Sequence, residues 1–295
     1  FAMSLNQMVN EMVLIDVNKE KAIGEAMDIS HGLSFLGQMS VYGGDYSDCR
    51  DCDAIIITAG CNRKPGETRI DLARKNLSIS KEIISNIMKY YTRGVILVVS
   101  NPVDILTYKI QQWSGLPSGK VFGSGTVLDS SRFRFLLSRK INVDVRNVHG
   151  YIIGEHGDSQ LPLWSATHIA GKNIMEFFND PVYDITDEIK NAIIEDVKTS
   201  GAEIIRKKGA TYYAIAVAIN TILESMIKNQ NTIRTVSSVI HNLYGIDDVA
   251  LSLPSIVNAN GVKAIFDLKL TDEELKQLAN SADQLKRVLQ QVQDI

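Results

Sequence analysis

The sequence predicts an α/β fold: a doubly wound, mainly parallel sheet in the first half and an α+β arrangement in the second. Three observations carry this expectation. Short Val- and Ile-rich runs recur at MVLIDV (12–17), AIIITAG (54–60) and VILVVSNP (95–102). They are apolar on both faces, as parallel strands covered from both sides should be. Helical patterns lie between them, and strand–helix alternation implies βαβ units. After about residue 120 the pattern changes to short strand-like pieces mixed with long helices. The 295 residues, 45% hydrophobic and 22% charged, are enough for roughly two domains.

Taken in order, FAMSLNQMVN (1–10) reads as the back end of a helix, and MVLIDV as a buried strand ending at Asp16. NKEKAIGEAMDI (18–29) is a helical pattern. DLARKNLSISKEIISNIMKYY (71–91) is another, with Leu72, Leu77, Ile84, Ile87 and Met88 near one stripe. VRNVHGYIIG (145–154) supplies short strand-like pieces. In ITDEIKNAIIEDVKTSGAEIIRKK (185–208) the acids sit in the first turn and Arg206, Lys207 and Lys208 in the last, which suits the helix macrodipole; Gly209 then ends the helix. Thr271 to Glu274 form a capping box, followed by Leu275, Leu278, Ala282, Leu285 and Leu289 at helical spacing. With no repeat and no low-complexity linker, the two halves, 1–123 and 124–295, are expected to share an interface.

Composition removes several function classes. The formal net charge is −3 and the basic residues form no long block, so the footprint of a nucleic-acid binder is absent. No apolar run approaches the ~20 residues needed to span a bilayer. The first stretch lacks a basic n-region and carries Asn, Gln and Glu, unlike a signal peptide. Three cysteines are too few for a disulfide framework, which points to a reducing cytoplasm. Cys49 and Cys52 form a C-x-x-C that precedes a strand and has no second ligand pair; they are read as ordinary thiols, and no metal is expected.

Folds of this kind bind ligands at the carboxyl ends of the strands. Asp16, Gly60 and Asn101 follow the three apolar runs. An acid closing the second strand of a dinucleotide-binding unit accepts hydrogen bonds from the adenosine ribose and repels a 2′-phosphate, which favours NAD over NADP. The plainer alternative is an Asp opening a turn before Asn18. In such a Rossmann-type unit the glycine fingerprint lies about 20 residues before that acid. This falls ahead of Phe1, so the first strand and its glycine-rich loop are expected to precede the chain as given. FAMSLNQMVN then belongs to the helix whose N-terminus faces the pyrophosphate. Thr58-Ala59-Gly60 is a small-residue turn that admits the dinucleotide close to the backbone.

The remaining motifs suit reduction of a 2-oxo acid, which needs a cation for the carboxylate, an acid for the carbonyl oxygen, a second cation to polarise that oxygen and a carboxylate to orient the acid. GEHGDS (154–159) presents His156 in a loop with acids on both sides, and histidine titrates near neutral pH. LDSSRFR (128–134) places Asp129 and Arg132 on one helix face, the first suited to raise the pKa of His156 and the second to bind a carboxylate bidentately. KPGETR (64–69) is a Pro-Gly loop ending in Arg69, able to exclude water as it closes.

TAG with KPGETR, SNPVD (100–104), GSGTVLDSSRFR (123–134), VHGYIIGEHGDS (148–159) and KKGATYYAIA (207–216) occur in that order. Together they resemble the lactate/malate dehydrogenase family, and within it the bacterial L-lactate dehydrogenases, from Phe1 to the C-terminus. The resemblance implies an NAD-dependent 2-hydroxy acid dehydrogenase with His156 as acid/base, Asp129 as its partner, Arg132 on the substrate carboxylate and Arg69 on the carbonyl oxygen. It implies Asn101 on a substrate oxygen, Thr211 beside the substrate side chain, Ile215 on the nicotinamide, and Asp16, Thr58, Ala59, Gly60, Val99 and Ser100 along the cofactor. It also implies a homotetramer. His31, His168 and His241 match no catalytic motif and are read as structural or surface groups.

One position pulls toward malate. Lactate enzymes of the family carry Gln six residues before the loop arginine, whereas this chain has Arg63, as malate enzymes do. An arginine there is able to pair with the second carboxylate of oxaloacetate, on the order of a hundredfold in discrimination. Glu67 and GATYYAIA resemble the lactate form, which is the preferred expectation. Arg134, two residues beyond Arg132, lies about 200° round the helix and is expected to face outward. Bacterial lactate dehydrogenases use an arginine and a histidine at the positions of Arg134 and His149 to bind fructose 1,6-bisphosphate between subunits; a surface ion pair is the alternative. A non-catalytic NAD-binding sensor is the rival from another class, and it has no need of Asp129, Arg132, Arg69 and His156 together.

Overall fold

The computed structural model describes residues 1–62, 66–178, 180, 182–183 and 185–295. The short helix α1 (Ala2–Asn6) ends in a left-handed Gln7 and leads into strand β1 (Glu11–Leu14). The strand stops before Asp16, whose Oδ1 accepts the Asn18 amide at 2.9 Å. Asn18 in turn caps α2 (Lys19–Gly32), accepting the Lys21 amide. Both sequence readings of Asp16 are thus compatible: it opens a turn, and it does so at the carboxyl end of a strand. α2 returns the chain to β2 (Ser40–Gly43), parallel to β1.

A second βαβ series follows. β3 (Ala54–Ile57), α3 (Arg69–Ile87), β4 (Val95–Val98), α4 (Val103–Ser114) and β5 (Val121–Gly123) alternate, and the three strands pair in parallel. Val95, Ile96, Leu97 and Val98 are all completely buried, which is why this strand shows no polar alternation. α3 starts at a Thr68–Asp71 capping box. Its buried stripe runs through Ala73, Asn76, Leu77, Ser80, Ile84 and Ile87, with Leu72 and Met88 at its half-buried margin.

The second half supplies α5 (Val127–Ile141), then two-residue strands β6 (Val148–His149), β7 (Ile152–Ile153), β8 (Leu161–Pro162), β9 (His168–Ile169) and β10 (Lys172–Asn173). Next come α6 (Asp187–Lys208), α7 (Tyr213–Ile227), β11 (Thr232–Ile240), β12 (Val249–Asn258), β13 (Gly261–Ile265) and α8 (Asp272–Gln291). Thr186 caps α6, Gly209 ends it in the left-handed region at φ 86°, and the Thr271–Glu274 box caps α8.

The largest sheet crosses between the halves. Its order is β13-β12-β11-β5-β4-β3, with β11 antiparallel to β5 at Ser237↔Gly123. The long β11–β12 ladder, Thr232↔Val257 through Ile240↔Val249, did not stand out in the sequence. Thr235, Ser237, Ser238, Ser252 and Ser255 are buried in it, and Pro254 interrupts the apolar pattern of β12. A core of Leu97, Phe122, Ile222 and Val236 joins the halves, and α1 packs Met3 against it. A separate core in the second half contains Phe133, Ile152 and Trp164, with the Phe133 and Trp164 rings edge to face at 5.1 Å.

Cys49 is buried and its thiol is pushed up to about 11 by burial; Cys52 is raised for the same reason and donates to the Asp48 carbonyl. Both are free thiols. Among the described residues, no helix is long and apolar enough to cross a membrane.

Candidate active site

Asp129 lies in the first turn of α5 and is almost fully buried. Its carboxylate divides between two partners: Oδ2 meets His156 Nδ1 at 2.6 Å, and Oδ1 accepts from Arg132 Nη1 at 2.8 Å. The helix explains one contact, since Asp129 and Arg132 are three residues apart. The chain fold explains the other, because His156 approaches on the loop between β7 and β8. Burial alone pushes the Asp129 carboxyl up, but His156 and Arg132 outweigh it and hold the group below its ordinary value. His156 moves the other way. The Asp129 charge is the largest influence and raises the imidazole from 6.5 to about 9, against the opposing effect of burial. The other ring nitrogen, Nε2, therefore carries a proton at neutral pH.

The loop carrying His156 is held from several sides. Gly154 has φ 87°, and a Cβ there would sit 2.8 Å from Ser281 Oγ, so glycine is required. Gly154 exchanges two backbone hydrogen bonds with Ser252 of β12. Ser281 of α8 accepts the Glu155 amide at 2.8 Å, and Asp104 of α4 accepts the His156 amide at 2.7 Å. Neither Ser281 nor Asp104 was singled out in the sequence, although Asp104 lies inside the SNPVD motif.

The first half brings its own residues to the carboxyl ends of β1, β3 and β4. Asp16 is exposed beside Val17, which is fully exposed, and Ile15, 38% exposed. Thr58, Ala59 and Gly60 form an exposed turn after β3. Half-buried Val99 follows β4, and the buried Ser100 hydroxyl donates to the Ala59 carbonyl at 2.6 Å, fastening the two turns together. Asn76, a polar residue in the apolar stripe of α3, fastens them again. Its Oδ1 accepts the Cys61 amide at 2.7 Å, and its Nδ2 donates to the carbonyls of Cys61 and Asn101. The Asn101 side chain accepts the Val103 amide at 3.3 Å.

Arg69 is the first residue of α3 and forms an exposed ion pair with Asp158 at 2.6 Å. That contact joins the loop arginine to the segment two residues past His156. Arg63 lies outside the described residues. Thr211 precedes α7 and is half-buried, and Ile215 packs into the core shared by the halves. Among the described residues, no hydrogen bond or ion pair joins either to the His156 group.

Arg134 departs from the outward expectation. It is half-buried, its Nε donates to the Ser130 carbonyl at 3.2 Å, and burial lowers its pKa. Arg234 of β11 is close enough for Arg134 to depress its pKa further, after burial. His149 is exposed on β6 opposite His168 of β9. His31 and His241 are exposed.

Residues 1–123 match the lactate/malate dehydrogenase NAD binding domain, and residues 126–295 match the family's alpha/beta C-terminal domain. An L-lactate dehydrogenase of Thermoanaerobacterium saccharolyticum is 49% identical over 292 residues, covering 99% of this chain and 94% of the relative. Among solved structures, an L-lactate dehydrogenase from Clostridium thermocellum is similar at TM-score 0.87 with 65% identity, covering 98% of this chain and 93% of its own. The ligand-bound minor L-lactate dehydrogenase of Enterococcus mundtii matches at TM-score 0.95 with 42% identity, covering 99% and 93%. This chain belongs to the lactate/malate dehydrogenase family.

Proposed function

We propose that the protein is an NAD-dependent L-lactate dehydrogenase that reversibly reduces pyruvate to L-lactate. The observation that carries this reading is the single buried Asp129 carboxylate shared by a histidine held protonated and by an arginine. The residues present fit the cofactor: an exposed acid, Asp16, between exposed apolar Ile15 and Val17, suits a ribose and the face of an adenine. When bound, the reduced nicotinamide supplies hydride to the carbonyl carbon. Arg132, steadied by Asp129, grips the pyruvate carboxylate. His156 donates the Nε2 proton to the carbonyl oxygen, and Asp129 stabilises the imidazolium before transfer. Arg69 leaves Asp158 to polarise that oxygen; an exposed ion pair worth about 0–1 kcal/mol is readily exchanged. Asn101 donates to a substrate oxygen, Thr211 lies beside the substrate methyl, and Ile215 backs the nicotinamide. Thr58 to Gly60, Val99 and Ser100 line the cofactor crevice.

Malate dehydrogenase is the second reading, favoured by Arg63 alone. Steady-state turnover of pyruvate and of oxaloacetate with NADH separates them. The proposal expects a large preference for pyruvate; a large preference for oxaloacetate, reversed by Arg63→Gln, overturns it. A cytoplasmic homotetramer is part of the same proposal, supported by apolar side chains exposed on α2 (Ile23, Met27) and α7 (Tyr213, Val217). So is activation by fructose 1,6-bisphosphate at Arg134 and His149. Among the described residues neither Arg134 nor Arg234 has a carboxylate at ion-pair distance, and such a pair suits phosphate. The bisphosphate should lower the apparent KM for pyruvate, and Arg134→Gln should remove that response.

A further inference from the structure

A second carboxylate lies behind the His156 loop, and the mechanism above leaves it unused. Asp104 stands in the first turn of α4, in the first half of the chain, and is 2% exposed. One oxygen accepts the backbone N–H of His156 at 2.7 Å, and the other accepts the Ser237 hydroxyl from β11 at 2.6 Å. Three elements therefore converge on it: α4, the loop between β7 and β8, and the strand that joins the two halves of the sheet. Among the described residues, no Lys or Arg forms an ion pair with it. A backbone amide and a hydroxyl are satisfied by a neutral acceptor, and a buried carboxylate with no cation is costly. Its charge needs another beneficiary. The titratable groups that face it are His156 and Glu155 of the loop, and the His156 ring is otherwise faced by Asp129 and Arg132 of α5.

Resting on the dehydrogenase reading, we propose that Asp104 is a positioning residue for His156: it fixes the backbone of the acid–base histidine and, ionised, adds a second negative charge that keeps the imidazole protonated. The charge states allow it. Burial lifts the Asp104 carboxyl to about 6, whereas His156 is held near 9, so Asp104 is ionised throughout the range in which His156 loses its proton. Asp104 is also among the groups that raise the imidazole.

Asp104→Asn separates charge from geometry, because the amide oxygen still accepts the His156 N–H and only the charge is lost. The experiment is the pH profile of kcat/KM for pyruvate at saturating NADH. The alkaline limb should move about one unit lower in Asp104→Asn. kcat above pH 8 should fall severalfold while KM changes little. Asp104→Ser also removes the charge while leaving a hydroxyl oxygen as acceptor, and should shift the limb the same way; it decides the matter if Asp104→Asn does not fold. An alkaline limb unchanged from wild type in Asp104→Asn, or in Asp104→Ser where that variant decides, overturns the proposal. Wild-type protein that fails to reduce pyruvate would instead overturn the dehydrogenase reading itself.

Discussion

Replacing Asp129 with Asn should unhook the proton affinity of His156 from the site. In the native protein the Asp129 charge dominates the shift of His156 from 6.5 to about 9, which at 1.36 kcal/mol per unit corresponds to about 3 kcal/mol favouring the imidazolium. Asn keeps the size of the side chain but removes that charge, and burial then acts to lower the imidazole. Pyruvate reduction needs His156 protonated, so kcat/KM at saturating NADH should stay level up to about pH 9 in the wild type and fall above it. In Asp129→Asn the fall should begin near pH 6.5 or below, a displacement of about two units or more. KM should rise as well, because Arg132 loses its fixed partner. An alkaline limb still near 9 in the variant would refute the assignment of Asp129 as the source of the shift. The same shift bears on stability. A base raised on folding contributes stabilisation that is complete below its unfolded pKa, about 6.5, and lost as pH rises through the folded value, about 9. Thermal unfolding should therefore show wild type losing more stability than Asp129→Asn between pH 7 and 10.

Three further outcomes are expected. Arg132→Lys should raise the KM for pyruvate by roughly one to two orders of magnitude with a smaller effect on NADH affinity, since an ammonium cannot reproduce the bidentate fork; steady-state kinetics check this. Asp104 is raised by burial from 3.8 to about 6, so its charge costs the fold up to about 3 kcal/mol above pH 6 and nothing below pH 4. Asp104→Asn should accordingly melt at or above the wild-type Tm at pH 8 while showing the kinetic defect, and should have no such advantage at pH 4. Of the three thiols, Cys61 is exposed, Cys49 buried and Cys52 half-buried, so titration of the native protein with a thiol reagent should give one fast equivalent that Cys61→Ser abolishes.

The parts of the molecule legible in the sequence are those with local causes. β3 and β4 announce themselves by unbroken apolar runs, and α3, α6 and α8 by caps and end charges. The pairing of Asp129 with Arg132 follows from helical spacing. Its meeting with His156, 27 positions along the chain, does not; the chemistry required of the site suggested the pair, and the motif resemblance implied it. The β11–β12 ladder was hidden because serine and threonine occupy several of its buried positions and break up the apolar runs. Asn76 and Asp104 were overlooked for a related reason: each is a polar side chain on the buried face of a helix, where it secures a neighbouring loop. A polar residue falling on an apolar stripe was the signal available for Asn76. Contacts between the halves, such as Arg69 with Asp158, have no trace in local sequence.

The most direct test of the mechanism is His156→Asn, assayed twice: NADH oxidation with pyruvate, and NADH binding by fluorescence titration. With the acid gone, turnover should fall by on the order of a thousandfold or more, while NADH affinity stays within a few-fold of wild type. A variant that still reduces pyruvate at the wild-type rate would contradict the account.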